Sequence, residues 1–119
     1  MRIFILDDAR SILAACAAAN MSSLVRDGNS FVLARPFVWD GEKVVSGLYD
    51  ATDLIFLNPV FDIWILDNDL GDGLEGYEFL KMVCNSRPEM VASVILSCSA
   101  NPAARENIIS FGRNFNANR

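Results

Sequence analysis

The sequence predicts an α/β fold, a three-layer sandwich with a parallel sheet between helices, in one domain covering residues 1–119. Two observations carry that prediction. Short continuous apolar runs such as Ile63-Trp64-Ile65-Leu66 are too short for a helix and too uniformly apolar for a strand with one wet face. They fit strands buried on both faces, the usual state of a central parallel strand. These runs alternate with segments of helical period, so crossover connections must join them. The 119 residues suit one core, and an apolar fraction of 52% is enough to build it.

The first strand is read over Arg2–Leu6 and ends in Asp7-Asp8. An Ala-rich helix follows from Ser11 to about Arg26, carrying Ile12, Leu13, Cys16 and Leu24, with Gly28 as a left-handed cap. The second strand, Ser30–Arg35, is stopped by Pro36, and Asp40-Gly41 begins a turn. Val44, Val45, Leu48, Thr52 and Ile55 share one face at helical spacing and predict a second helix, broken at Asn58-Pro59. The central strand opens at Phe61. A third helix is predicted from about Leu74 to Asn85, with Tyr77, Leu80 and Cys84 aligned. The fourth strand, Val91–Leu96, runs into Ser97-Cys98-Ser99-Ala100. Asn101-Pro102 then joins an N-cap to a proline at the first helical position. The helix it starts buries Ala104, Ile108 and Phe111 and ends at Gly112. The tail Arg113–Arg119 is short and polar, which leaves a fifth strand short or missing. The natural strand order is flavodoxin-like, 2-1-3-4, and it makes the first and third strands neighbours.

Composition narrows the chemistry. A net charge of −5 argues against an extended nucleic-acid or anionic-membrane surface, which needs clustered Lys and Arg. No apolar run approaches the roughly 18 residues of a membrane span. Leu54–Leu66 comes nearest and is interrupted by Asn58, Pro59 and Asp62. Met1-Arg2-Ile3 leads straight into a strand, so no secretory signal is expected. Cys16, Cys84 and Cys98 are odd in number and lack CxxC spacing, which fits a reducing cytoplasm. The chain has no histidine, which rules out a Ser-His-Asp triad and removes the commonest ligand of zinc. An acidic, oxygen-ligand site for Mg²⁺ remains.

In an open α/β sheet, ligands bind beyond the carboxyl ends of the strands. The central strand ends there in Asp67-Asn68-Asp69, so Asp67 is read as functional and Asp72 as a turn residue. Strand order places Asp7 and Asp8 beside Asp67. Carboxylates so close repel one another, and a divalent cation removes the repulsion, so Asp7, Asp8 and Asp67 are the expected Mg²⁺ ligands. Ser99, Asn101 and the helix start at Asn101-Pro102 should lie on the same rim, where free N–H groups attract anions. A small phosphorylated ligand is the expected guest. Arg105 either reaches its phosphate or pairs with Glu106, Asp69 or solvent.

These residues resemble a known family. Asp7-Asp8, the strand ending in Asp67, Asp72-Gly73-Leu74 and Ser99-Ala100 together look like a response-regulator receiver domain. In such domains the acidic pair binds Mg²⁺ and the aspartate matching Asp67 accepts a phosphoryl group. The lysine that receivers carry after the last strand is missing here, since Lys43 and Lys81 are the wrong distance away. The chain is more similar to the cyclic-phosphate-processing receiver family of bacteria and phages. The matching motifs are Leu6-Asp7-Asp8, Leu66-Asp67-Asn68-Asp69-Leu70-Gly71, Gly76-Tyr77, and Cys98-Ser99-Ala100-Asn101-Pro102 with Arg105 and Asn107 downstream. Both family histidines are replaced, by Asn68 and Cys98. Asn68 hydrogen-bonds but cannot shuttle protons. Cys98, at a buried strand end among acids, is expected to be packed and unreactive.

The resemblance implies a cytoplasmic domain that binds a cyclic phosphate or nucleotide, or an RNA end. It is at most a metal-dependent cyclic-phosphate hydrolase acting through Asp67 and Asp69, with Asn68, Ser99, Asn101 and Arg105 holding the phosphate. The alternative is a catalytically inactive, phage-encoded interaction module that docks on a host or partner protein. Phe37, Val38 and Trp39, or Phe56 and Phe61, would be its anchors, although most of them are expected to be core. A phosphoaccepting receiver ranks last, because no lysine is placed to stabilise the transferred group.

Overall fold

The structure, a computed structural model, describes residues 1–26, 28–39, 41–42, 44–46 and 61–119, with backbone only at 37–39 and 44–46. Its strands are β1 (Arg2–Leu6), β2 (Ser30–Ala34), β3 (Phe37–Trp39), β4 (Val44–Ser46), β5 (Ile63–Leu66) and β6 (Val94–Ser97). Four of them form one parallel sheet in the order β2-β1-β5-β6, the 2-1-3-4 arrangement expected. The helices are α1 (Ile12–Ala18), α2 (Gly76–Ser86) and α3 (Pro102–Ala117).

The apolar runs are continuous because each strand feeds two cores. Side chains alternate across a sheet, so Phe4, Leu6, Trp64 and Leu66 fall on one face and Ile3, Ile5, Ile63 and Ile65 on the other. The first face is covered by Phe79, Leu80 and Val83 of α2 and Ile108 of α3, the second by Ala15 and Cys16 of α1. Trp64, fully buried, packs its ring 6.0 Å from Phe4 and 6.3 Å from Phe79. Truncating a buried aromatic of this kind costs about 3–5 kcal/mol.

The structure departs from the sequence reading in four places. The first helix stops at Ala18, because Asn20 adopts the left-handed conformation at φ 60, and a separate 3-10 turn covers Ser22–Val25. Val44 and Val45 belong not to a helix but to β4, which pairs antiparallel with β3. β-branched residues fit a pleated ribbon, and Gly41 at φ 106 lies between the two strands. The other positions of that expected helix, Leu48, Thr52 and Ile55, lie outside the described residues, as does Phe56.

The fourth strand starts at Val94 rather than Val91, after a 3-10 turn at Pro88–Met90. Gly112 does not end the last helix, which runs on to Ala117. A Cβ on Gly112 would lie 2.5 Å from Cβ of Ile95, so the missing side chain lets α3 approach β6 closely. Phe61 is core, as expected for most of those aromatics, 5% exposed and packed on Phe4. Among the described residues, no helix is long and apolar enough to cross a membrane.

Candidate functional site

Strand register builds the site. Leu6 pairs with Leu66, and Leu66 with Ser97, so the next residues, Asp7, Asp67 and Cys98, stand side by side just past the carboxyl ends of β1, β5 and β6. The Asp67 N–H donates to the Leu6 carbonyl at 2.8 Å and the Cys98 N–H to the Leu66 carbonyl at 3.2 Å, which carries the ladder into the tips. One ligand atom from each of the three side chains lies within 4.8 Å of the others. The convergence expected of Asp7 and Asp67 is therefore present, with Cys98 as a third member.

Asp7 is fully buried and saturated with donors. Its Oδ1 accepts the N–H groups of Ala9 at 2.8 Å and Arg10 at 2.7 Å. Its Oδ2 accepts Arg10 Nη1 at 3.0 Å and the Cys98 thiol at 3.2 Å. Burial alone would raise the carboxyl's pKa, but the backbone donors of Arg10 and Ala9, the guanidinium and the thiol together hold it below the usual range.

Asp67, 5% exposed, has the opposite fate. Burial comes first, then the neighbouring Asp7 charge, and with Asp8 alongside they push it up to about 7 against the pull of Arg10. Arg10 Nη1 lies 3.5 Å from Asp67 Oδ2, so one guanidinium spans both carboxyls. The Cys98 thiol is pushed well above its ordinary range, first by burial and then by its bond to Asp7. It is a proton donor here, not a thiolate.

Above these groups opens a pocket of about 530 Å³ bordered by Asp8, Arg10, Asp67, Asn68, Asp69, Ser99 and Asn101. Six of the expected site residues thus line one cavity, and Asp7 sits buried beside them. Several are occupied with local structure. Asn68 Oδ1 accepts the Tyr77 N–H at 3.1 Å and so ties the tip of β5 to the start of α2. Asp69 Oδ1 accepts the Gly71 N–H at 3.2 Å and closes the turn in which Asp72, at φ 52, is left-handed between two left-handed glycines, Gly71 and Gly73.

Asn101 caps α3, its Oδ1 accepting the Ala104 N–H at 3.1 Å, while its own N–H donates to Ser99 Oγ at 3.2 Å. With Pro102 next, the N–H groups at this helix start are largely committed, so it is a poorer anion site than the sequence suggested. Ser99 is 6% exposed, and its hydroxyl proton has no acceptor among the described residues. Arg105 is not part of the lining. Its Nη1 donates to the Ala18 carbonyl at 2.7 Å and joins α3 to the end of α1.

The Asp7–Asp67–Cys98 group does not fit a divalent cation. A carboxylate offers about four lone-pair sites, and those of Asp7 already face four donors. The third member is a protonated thiol, a poor partner for a hard cation. The Arg10 guanidinium also brings its charge to the place between the carboxyls where an ion would need to sit. Arg10 is the residue that sequence reasoning missed. The available signal was the Asp7-Arg10 spacing at the tip of a buried strand, which lets a side chain fold back onto the carboxylate three residues earlier.

The family model for the cyclic-phosphate processing receiver domain matches residues 1–114. No curated protein and no solved structure matches the chain. The match spans the parallel sheet, the three described helices up to Asn114, and every residue of the pocket. With a receiver-like strand order and acids converging at its carboxyl edge, the chain belongs to the cyclic-phosphate processing receiver family.

Proposed function

We propose that this domain binds a cyclic phosphate, in a small nucleotide or at an RNA end, in the pocket beyond β1, β5 and β6, with hydrolysis slow or lost. The observation that carries the reading is the buried Ser99 hydroxyl, a donor without a protein acceptor among the described residues, lining a cavity in a family described as cyclic-phosphate processing. The amide of Asn101 offers a second neutral donor on the same rim.

Chemistry is the weaker half of the site. Opening a cyclic phosphodiester exchanges one P–O ester bond for a bond to a water oxygen, with a proton delivered to the leaving oxygen. Asn68 carries no titratable proton and Cys98 holds its own too tightly, so neither serves as acid or base. Asp67, raised to about 7, is the lining group with a proton to exchange near neutrality, and any residual turnover rests on it, with Asp69 alongside. Incubation with 2′,3′-cyclic nucleotides and cyclic oligonucleotides, with and without Mg²⁺, followed by calorimetry and chromatography, tests the reading. Binding with little product is expected, and Asp67→Asn should abolish whatever product forms. Neither binding nor turnover would reject it.

A further inference from the structure

An acidic pocket that takes an anion needs a cation. Among the described residues lining this pocket the cationic side chain is Arg10, set against Asp8, Asp67 and Asp69. Its Nη1 is held by Asp7 at 3.0 Å and faces Asp67 at 3.5 Å. A guanidinium carries five N–H donors in a planar fork, and those on Nε and Nη2 have no partner among the described residues. The side chain is 28% exposed, open enough to be reached from the cavity. The loop that carries it is pinned from below, because Arg35 Nη1 donates to the carbonyls of Asp7 at 3.2 Å and Arg10 at 2.7 Å. The positive group is therefore pre-positioned, with Nη1 committed to the strand tips and the side chain part of the pocket lining.

We propose that Arg10 is the phosphate-binding cation of this pocket, tying Asp7 to Asp67 with Nη1 and offering its remaining N–H groups to a singly charged phosphodiester, so that binding requires no divalent metal. The inference rests on the phosphate-site reading above and deepens it by naming the group that holds the ligand and the ligand charge it suits. Asp7 already satisfies part of the guanidinium's charge, and Asp8 and Asp69 repel further negative charge. One ligand charge is matched and a second is not. A cyclic phosphodiester, a monoanion, is thereby favoured over the monoester dianion that its hydrolysis produces, and the product is released.

The test is calorimetric titration with 2′,3′-cyclic AMP and with 3′-AMP, each in EDTA and in excess Mg²⁺. Expected is equal affinity for the cyclic nucleotide in both conditions, and binding of 3′-AMP at least about tenfold weaker. Arg10→Gln should weaken the cyclic nucleotide at least about tenfold, with Arg10→Lys recovering part of that loss. Binding that appears only with Mg²⁺, or that survives Arg10→Gln unchanged, overturns the proposal while leaving the phosphate site standing. No binding of either nucleotide in either condition overturns the site itself. Should Arg10→Gln fail to fold, the EDTA and Mg²⁺ arms on the unaltered chain decide the question without it.

Discussion

The tips of β1 and β5 are neighbours in register and carry the same residue type, yet their carboxyls are shifted in opposite directions. Asp7 is the more deeply buried, yet its carboxyl is lowered, while Asp67 is raised. The difference lies in donor supply. The turn after β1 aims two backbone N–H groups, a guanidinium and a thiol at Asp7. Asp67 meets two other carboxyls and only the more distant approach, 3.5 Å, of the same Arg10 Nη1. Burial penalises a charge, but the number of donors arriving with it decides whether the charge survives.

The sharpest way to break this contrast is Asp7→Ala. It leaves the Arg10 guanidinium and the N–H groups of Ala9 and Arg10 without their acceptor, and chemical denaturation should show a loss of about 3–5 kcal/mol. Gly76→Ala attacks the other tip. A Cβ there would collide with the Asp67 carbonyl, and because backbone cannot swing aside, about 3 kcal/mol should be lost and the Asp67 tip displaced.

Next in size is the pH dependence of the pair. A carboxyl raised in the folded state binds its proton more tightly there than when unfolded. Its contribution is largest below the unfolded value and declines as pH rises toward the folded value near 7. Asp67→Asn removes that decline. At pH about 8 it should stabilise the domain by roughly 2 kcal/mol, and at pH about 5 it should be close to neutral. Asp7 works in the other direction, stabilising above its unfolded value and losing that contribution as acid titrates it. Thermal melts across pH should therefore show the pair's contribution falling between the unfolded carboxyl value of 3.8 and about 7, and a flat profile over that range would refute the contrast.

The smallest effect belongs to the thiol. Cys98→Ala removes one of several donors to Asp7 and should cost about 1 kcal/mol, read by denaturant midpoint. Fully buried and holding its proton, Cys98 should also resist iodoacetamide in the folded protein and react only on unfolding.

What could be read from the sequence was whatever the strands dictate. Residues 63–66 had to be buried on both faces, the crossover rules gave one natural strand order, and the register then brought the acids together. What could not be read depends on reach and close approach. Arg105 lies at the right point on α3 to face the pocket, but a long side chain goes to its best acceptor, here the Ala18 carbonyl. Gly112 carries the mark of a helix end, yet its purpose is contact with Ile95, a partner set by tertiary packing. Val44 and Val45 fit helical spacing by position while their branched side chains favour a strand, and the ribbon prevailed. Arg10 escaped notice because its importance comes from Asp67, which the fold delivers from the far half of the chain.

Arg35 gives the outermost strand a say in all of this. It follows β2, the edge strand of the sheet among the described residues, and a single guanidinium carries its two bonds to the loop that holds Arg10. Fraying of that edge strand would slacken the loop before it reached the central strands, so the stiffness of the pocket's rim is limited by an edge of the described sheet.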